Sequence, residues 1–393
     1  MNPIRFALVG TGGRGQIYVD VLKRMAEPRA VWTAMCGRRE STVANFCAEN
    51  SLADVPQIIG VENCVARDDV DAVLLCTPDY AHLEPARATF EAGKHCLVEK
   101  PLATTPDDAR AICEAAIASG KLLHLGFVLR YDPCAMKLRE LVQGGAIGKV
   151  IACITHEAVG WFHGSTYMRR WNRFREMSGD MLLHKGCHTL DLINFISGQH
   201  PRRVAAFGGT EVFQPREGAA EFCKECALTE DCIYYTDQGP EYRERFYNNA
   251  GPQVLPEDIC VYNTDKDTTD TTSLTAEFDG GMRLSYTMTM VSPKGERRLT
   301  FIGDRGEIRC DLSTYCIEHW SLPDKPVETI DVPRPEGFGH QHHDMALTLD
   351  FIDRIGRGDD PHHGIMDAYM SGAVAFAALQ SMATGQVVDV PPL

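Results

Sequence analysis

Lys100 stands between the apolar run Cys96-Leu-Val98 and Pro101, a place where a lysine can do proton chemistry. Open α/β sheets bind ligands beyond the carboxyl ends of their strands. A residue before proline is held extended, which fixes the aim of its side chain. A lysine there can hold a substrate hydroxyl and, when desolvated, take part in moving its proton; the plain alternative is a solvated surface lysine. Ser178-Gly-Asp-Met-Leu-Leu-His184-Lys185-Gly-Cys-His188-Thr-Leu-Asp191 is the second such stretch. Its spacing predicts a helix that packs Leu183, Cys187 and Leu190 and shows His184 and His188 on one face. Two imidazoles beside the Lys185 ammonium are proton donors and acceptors, unless the histidines only satisfy the core.

Two further clusters carry chemistry. Arg169, Arg170, Arg173 and Arg175 lie beside Trp161 and Trp171. Guanidinium groups suit planar oxyanions and indole faces suit sugar rings, while pairing with the chain's many acids is an equal alternative. Cys223-x2-Cys226-x5-Cys232 sits in a polar stretch, with Cys260 opening the expected strand Cys260-Val-Tyr262 downstream. Four thiolates suit a tetrahedral structural zinc; an iron–sulfur cluster and simple free thiols are the other readings. A catalytic metal is not expected, because four thiolates leave no open coordination position.

The elements that must position these groups begin with Phe6-Ala-Leu-Val-Gly-Thr-Gly-Gly-Arg-Gly15. An apolar strand runs into Gly10-x-Gly12-x-x-Gly15, with Gly13 and Arg14 at the start of a helical pattern. Gly10 allows the tight turn, Gly12 lets backbone approach a pyrophosphate, and Gly15 lets helix pack on strand; the helix N-terminus faces the phosphates. Strands Ala30–Cys36, Asp71–Cys76, Cys96–Val98 and Leu122–Phe127 then alternate with helices near Glu84–Ala92 and Asp107–Ser119, the pattern of a parallel, doubly wound sheet. The second strand ends at Gly37-Arg38-Arg39, where an acid would grip the ribose of NAD. Arg38 instead tilts the expectation towards NADP, with stacking on the adenine an equal alternative for its side chain. Later strands Ser273–Phe278, Met282–Thr289, Arg298–Ile302 and Gly306–Asp311 predict a sheet-built second domain.

Composition bounds the rest. With a formal net charge of −15, 44% hydrophobic and 24% charged residues, nucleic acid and anionic membrane are poor partners. No apolar run approaches the ~18 residues a membrane span needs, and a strand begins almost at once, so no leader is expected and the chain is read as cytoplasmic. Its fifteen cysteines are then reduced thiols.

Gly10–Gly15, Cys76-Thr77-Pro78-x-x-x-His82, Glu99-Lys100-Pro101, Gly126-Phe-x-x-Arg130-Tyr, Leu182-Leu-x-x-Gly-x-His188-x-x-Asp191 and Gly339-His340 resemble, in this order and spacing, the Gfo/Idh/MocA family of sugar and cyclitol oxidoreductases. The resemblance covers nearly the whole chain. It implies an N-terminal Rossmann domain over 1–126 and a C-terminal α/β domain over 127–393. The latter has an open, mainly antiparallel sheet that lines the substrate pocket and often forms an oligomer interface, with the cysteine-rich insertion at about 213–260. It further implies NAD or NADP held by the glycine turn, Thr77, Pro78, His82 and Glu99. Catalytic roles fall to Lys100, whose bond to Pro101 is often cis in the family, and to His188. The substrate contacts implied are Arg130, Asp191 and His340, beside Trp161, Trp171 and the arginines. The family commonly has aspartate where this chain has His184, a departure that, with Lys185, suggests a more positive pocket. Three functions follow in order: an NAD(P)-dependent dehydrogenase of a sugar, glycoside or cyclitol, including an anionic one, in a dimer or tetramer; a redox-neutral glycosidase using the same cofactor; and a non-catalytic nucleotide-binding regulator.

Overall fold

The computed structural model describes residues 3–25, 28–236, 258–335, 341–362 and 364–393. It divides into two compact units: Met1–Lys137 with Pro333–Ala373 and Pro392–Leu393, and Leu138–Val332 with Val374–Pro391. The return of 333–373 to the first unit is a long-range event that chain order does not display.

The first unit is built on β1 (Ile4–Val9), β2 (Ala30–Gly37), β3 (Gln57–Ile59), β4 (Ala72–Leu75), β5 (His95–Val98) and β6 (Leu123–Leu125). They form one six-stranded sheet in the order β3-β2-β1-β4-β5-β6, every neighbouring pair parallel. Phe6, Ala7, Leu8 and the whole of β4 have essentially no exposure, as expected where both faces of a parallel sheet are covered. The strand order reverses between β1 and β4, and ligands bind such sheets at that switch point. Helices α1 (Gly13–Met25), α2 (Glu40–Glu49), α3 (Val61–Val65), α4 (Leu83–Glu91) and α5 (Pro106–Ser119) make the crossovers. Thr105 caps α5, its Oγ1 accepting from Asp108 N at 3.2 Å, and Pro106 follows at the first helical position.

After α6 (Pro133–Gln143) the second unit contains β7 (Val150–Gly160), α7 (Trp161–Tyr167), α8 (Arg175–Ser178), α9 (Met181–His184), α10 (Cys187–Ser197) and β8 (Pro201–Gly209). There follow β9 (Thr271–Phe278), β10 (Arg283–Ser292), β11 (Glu296–Gly303), β12 (Gly306–Asp311), β13 (Cys316–Ser321) and β14 (Glu328–Asp331). With β15 (Val388–Asp389) they form a nine-stranded sheet, antiparallel except where β10 runs parallel to β7. Helix α11 (Gln341–Arg357) belongs to the first unit, where Phe351 stacks on Phe6 at 6.0 Å between ring centres. The last helix, α12, is Ile365–Thr384. Among the described residues no helix is long and apolar enough to cross a membrane.

Two local expectations are corrected. The segment from His184 to His188 is not one helix, because α9 ends at His184 and α10 starts at Cys187. A Cβ on Gly186 would lie 2.4 Å from Leu182 O and 2.9 Å from the Tyr286 hydroxyl, so the chain breaks at the residue that tolerates this crowding. Cys260 opens no strand either; it follows a single antiparallel bridge between Phe222 and Ile259.

Candidate active site

The glycine turn of the first unit has the geometry its sequence demands. Gly10 has φ +102°, and a Cβ there would stand 2.6 Å from the Cys76 carbonyl, so the turn after β1 lies directly against the turn after β4. A Cβ on Gly15 would be 2.4 Å from Gly10 O, which leaves no room for a side chain between strand and helix. Gly12 and Gly13, by contrast, face open space to 4 Å. The first turn of α1 has no acidic residue. Free N–H groups, a positive dipole end and an open glycine face suit a pyrophosphate. The residues therefore fit a dinucleotide. At the end of β2, a Cβ on Gly37 would collide with Val43 Cγ2 at 2.7 Å and lie 3.8 Å from Thr11 Oγ1, and Arg38 is exposed beside it.

Arg14, expected at the cofactor, faces inward instead. Its Nε and Nη2 donate to Glu99 Oε1 at 2.8 and 2.5 Å, and Nη2 also donates to Asp344 Oδ1 at 2.8 Å. Tyr18 donates to the same Glu99 oxygen at 2.7 Å. Burial alone would lift the Glu99 carboxyl, but Arg14, Tyr18 and Lys100 hold it below the ordinary carboxylate range. Burial pushes the Asp344 carboxyl up, with Arg14 opposing and Glu99 adding to the rise. The guanidinium between the two acids thus favours the ionised form of Glu99.

Glu99 in turn shapes the turn that carries Lys100. The Lys100 backbone N donates to Glu99 Oε2 at 3.3 Å, Lys100 is half-buried, and the Lys100–Pro101 bond is cis. A Cβ on Gly126 would crowd the Glu99 carboxylate at 3.1 Å, which accounts for the glycine after β6. His82, expected at the cofactor, is fully buried and braces this turn. Its Nδ1 lies 2.9 Å from Pro101 O and its Nε2 lies 3.0 Å from Thr77 O, tying the turn after β4 to the turn after β5. Arg130 is half-buried, with Nη1 3.4 Å from Asp367 Oδ2.

In the second unit a buried carboxylate orders α10. Glu157, on β7 and 1% exposed, accepts from Arg297 Nη2 at 2.6 Å, Thr189 Oγ1 at 2.6 Å and Tyr286 OH at 2.9 Å. Arg297 Nε donates to Thr189 Oγ1 at 2.6 Å. Burial works against the Glu157 carboxylate, yet Arg297, Lys185 and the two hydroxyls hold it below its ordinary range. Thr189 follows His188, so the network pins the first turn of α10 where the half-buried His188 stands. His184 is buried, with Nε2 3.2 Å from Asn172 Nδ2 and the rings of Tyr167 and Trp171 in T-shaped contact at 5.2 and 5.7 Å between ring centres. Lys185 is half-buried in the break between the helices, and Asp191 is buried within α10.

The arginine segment divides. Arg169 is buried, donating to Ile259 O at 3.0 Å, Ser165 Oγ at 3.1 Å and Tyr234 O at 2.5 Å. Arg173 is buried as well, donating to Asp265 O at 2.9 Å and Arg170 O at 3.0 Å. Arg175 reaches Asp180, whose carboxylate caps α9 by accepting from Leu182 N at 3.0 Å. Asp180 has φ +93°, a conformation residues other than glycine rarely adopt, held by two bonds from Thr269. Arg170, Trp161 and Trp171 are half-buried. His340 lies outside the described residues. Among the described residues no three His, Cys, Asp or Glu side chains stand, as placed, in a set that could hold a metal ion.

The family model described as "Oxidoreductase family, NAD-binding Rossmann fold" matches residues 4–127, and "Oxidoreductase family, C-terminal alpha/beta domain" matches 139–390. The putative oxidoreductase YteT of Bacillus subtilis is 28% identical over 339 residues, 79% of this chain and 78% of that protein. The 2,7-anhydro-N-acetylneuraminate hydratase of Mediterraneibacter gnavus is 29% identical over 214 residues, 54% of each chain. A crystal structure of an oxidoreductase domain protein from Kribbella flavida superposes over the full length of both chains with TM-score 0.79 at 22% identity, a likeness of fold.

Proposed function

The chain belongs to the Gfo/Idh/MocA oxidoreductase family, and on that premise we propose that it transfers hydride between a nicotinamide cofactor and a secondary hydroxyl of a sugar, glycoside or cyclitol, anionic ones included. The observation that carries the reading is the Lys100 turn. Glu99 is fixed on one side of Lys100 by Arg14 and Tyr18, and Pro101 on the other by His82. When bound, the nicotinamide supplies the carbon that exchanges hydride. Lys100 and His188 are the groups assigned to positioning and deprotonating the hydroxyl. Arg170, Trp161, Trp171, Arg130, Asp191 and His340 are proposed to contact substrate, while Arg169 and Arg173 hold the fold. The reading places the protein in a reducing cytoplasm and the cysteine-rich insertion outside the chemistry. It also takes the open face of the second sheet, with Ile154 53% and Phe207 80% exposed, as a contact between copies; light scattering that finds only monomer removes that part.

A redox-neutral route is the second reading, favoured by the anhydro-sugar hydratase relative and by His184, Lys185 and His188 lying so close in sequence. One experiment separates the two: a polyol panel and an acidic chromogenic glycoside, each with the oxidised cofactor. Reduced nicotinamide accumulating one-for-one with oxidised sugar supports the dehydrogenase. Aglycone released in large excess over cofactor, with no lasting reduced band, replaces it with the glycosidase. Cofactor that binds and is never reduced, with no aglycone from any candidate, leaves a nucleotide-binding regulator.

For the cofactor itself we propose NADP over NAD, from Gly37 and the exposed Arg38. A charge-assisted contact to the 2′-phosphate at an exposed site is worth about 1.4 kcal/mol, so Arg38→Ala is expected to weaken NADP binding roughly 10-fold and leave NAD unchanged. Tighter binding of NAD, indifferent to Arg38→Ala, would falsify this preference.

A further inference from the structure

We infer that Cys223, Cys226, Cys232 and Cys260 form a closed four-thiolate site for one zinc ion that locks the cysteine-rich insertion onto the arginine segment. The backbone brings two of the sulfurs together. Cys223 N donates to Asp258 O at 2.7 Å and Cys260 N to Glu221 O at 2.8 Å, on either side of the Phe222–Ile259 bridge. In that register Cys223 and Cys260 project from the same face, one diagonal step apart. The 3-10 turn Cys223–Glu225, closed by Cys226 N to Cys223 O at 3.2 Å, curls the chain back and returns Cys226 to its neighbour.

All four cysteines line one cavity of about 20 Å³, with Ala219, Ala220 and Leu228 among its other walls. That is room for a single water-sized body, too little for an iron–sulfur cluster. No carboxylate or imidazole is among its described lining residues, and an all-sulfur set selects a soft, tetrahedral ion such as zinc. Two donors already face the sulfurs. Leu228 N–H points at Cys226 Sγ at 3.5 Å, and Arg169 Nη2 lies 3.9 Å from Cys223 Sγ. Zinc with four thiolates carries a net charge of −2, and the buried Arg169 guanidinium offsets part of it. Among the described residues no three such side chains stand, as placed, in a set that could hold a metal ion, so loading closes the four sulfurs by side-chain rotation. Four Zn–S bonds form and four thiol protons leave to solvent.

Arg169 transmits the lock, since the same guanidinium holds Tyr234 O, Ile259 O and, on α7, Ser165 Oγ. Metal content is read without any substrate, so the test of this site is independent of the hydride reading. The test is elemental analysis of the full chain purified without added metal, then after equilibration with zinc. About one zinc per chain is expected, lost in Cys226→Ser and in Cys232→Ser. Because a serine variant can misfold, the unaltered chain is also loaded with cobalt, which then shows thiolate charge-transfer and the visible bands of a tetrahedral ion. Zinc below about a tenth per chain after equilibration, iron with acid-labile sulfide, or zinc retained by both variants overturns the inference. Full zinc in a chain that turns over no polyol leaves it standing and counts only against the hydride reading.

Discussion

Lys100→Ala is expected to lower turnover about 10²–10⁴-fold, the usual worth of a positioned proton-transfer group, while cofactor affinity changes only a few-fold. The separation follows from where the two functions sit. The pyrophosphate cradle is backbone, the open face of Gly12 and Gly13 at the start of α1. Lys100 is a half-buried side chain on the turn after β5, and neither glycine depends on it. Lys100→Arg keeps the charge but binds its proton too tightly to exchange it near neutral pH, so it recovers little of the rate. Steady-state kinetics on the best polyol, with cofactor titration by fluorescence, gives both numbers. Normal turnover in Lys100→Ala removes the assignment. A loss confined to cofactor affinity would turn Lys100 into a binding residue and send the search for the proton-transfer group back to His188 and Lys185.

Local constraints were the legible part of this protein. Gly10 and Gly15 answer demands of turn and close packing, and the structure shows the positive φ of the first and the contact of the second with Gly10 O. The strands Thr271–Phe278 and Gly306–Asp311 likewise follow from alternation and turns. What could not be read was set by partners far along the chain. Arg14 lies inside the cofactor motif, yet Asp344, 330 residues later, and Glu99 claim its guanidinium. Arg169 has the composition of an oxyanion binder, but the carbonyls of Tyr234 and Ile259 fix it as a strut. Glu157 and Arg297 pair across 140 residues, on strands that become neighbours only when β11 joins β7. Gly186 is a local signal of another kind: a glycine inside an otherwise helical pattern marks the break that separates His184 from His188.

Arg297→Ala is expected to destabilise the second unit by about 3–5 kcal/mol, because it removes the one hydrogen-bonded counter-charge of a buried carboxylate and leaves only Lys185 to offset it. Glu157 is 1% exposed, and of its three partners only Arg297 is charged; Thr189 and Tyr286 donate but cannot neutralise it. For a unit of this size that loss lowers the melting temperature by roughly 6–20 °C. The pH dependence carries a sign that a mere packing defect lacks. In the unaltered chain the folded Glu157 carboxyl sits below its ordinary value. Its stabilisation is therefore fully present above the unfolded pKa of about 4.3 and is lost as pH falls through the lower folded value. Without Arg297, burial dominates and the folded carboxyl rises above the unfolded one. The variant then loses stability as pH climbs past about 4.3, so the gap between the two proteins widens from pH 4 to pH 7. A second change, Glu157→Gln with Arg297→Met, removes both charges, keeps acceptors and donors for Thr189 and Tyr286, and is expected to recover most of the loss. Thermal melts of the three chains at pH 4, 5.5 and 7 measure all of this. A gap that stays constant across pH, or a double variant no better than Arg297→Ala, would show that the pair stabilises α10 by packing and not by charge.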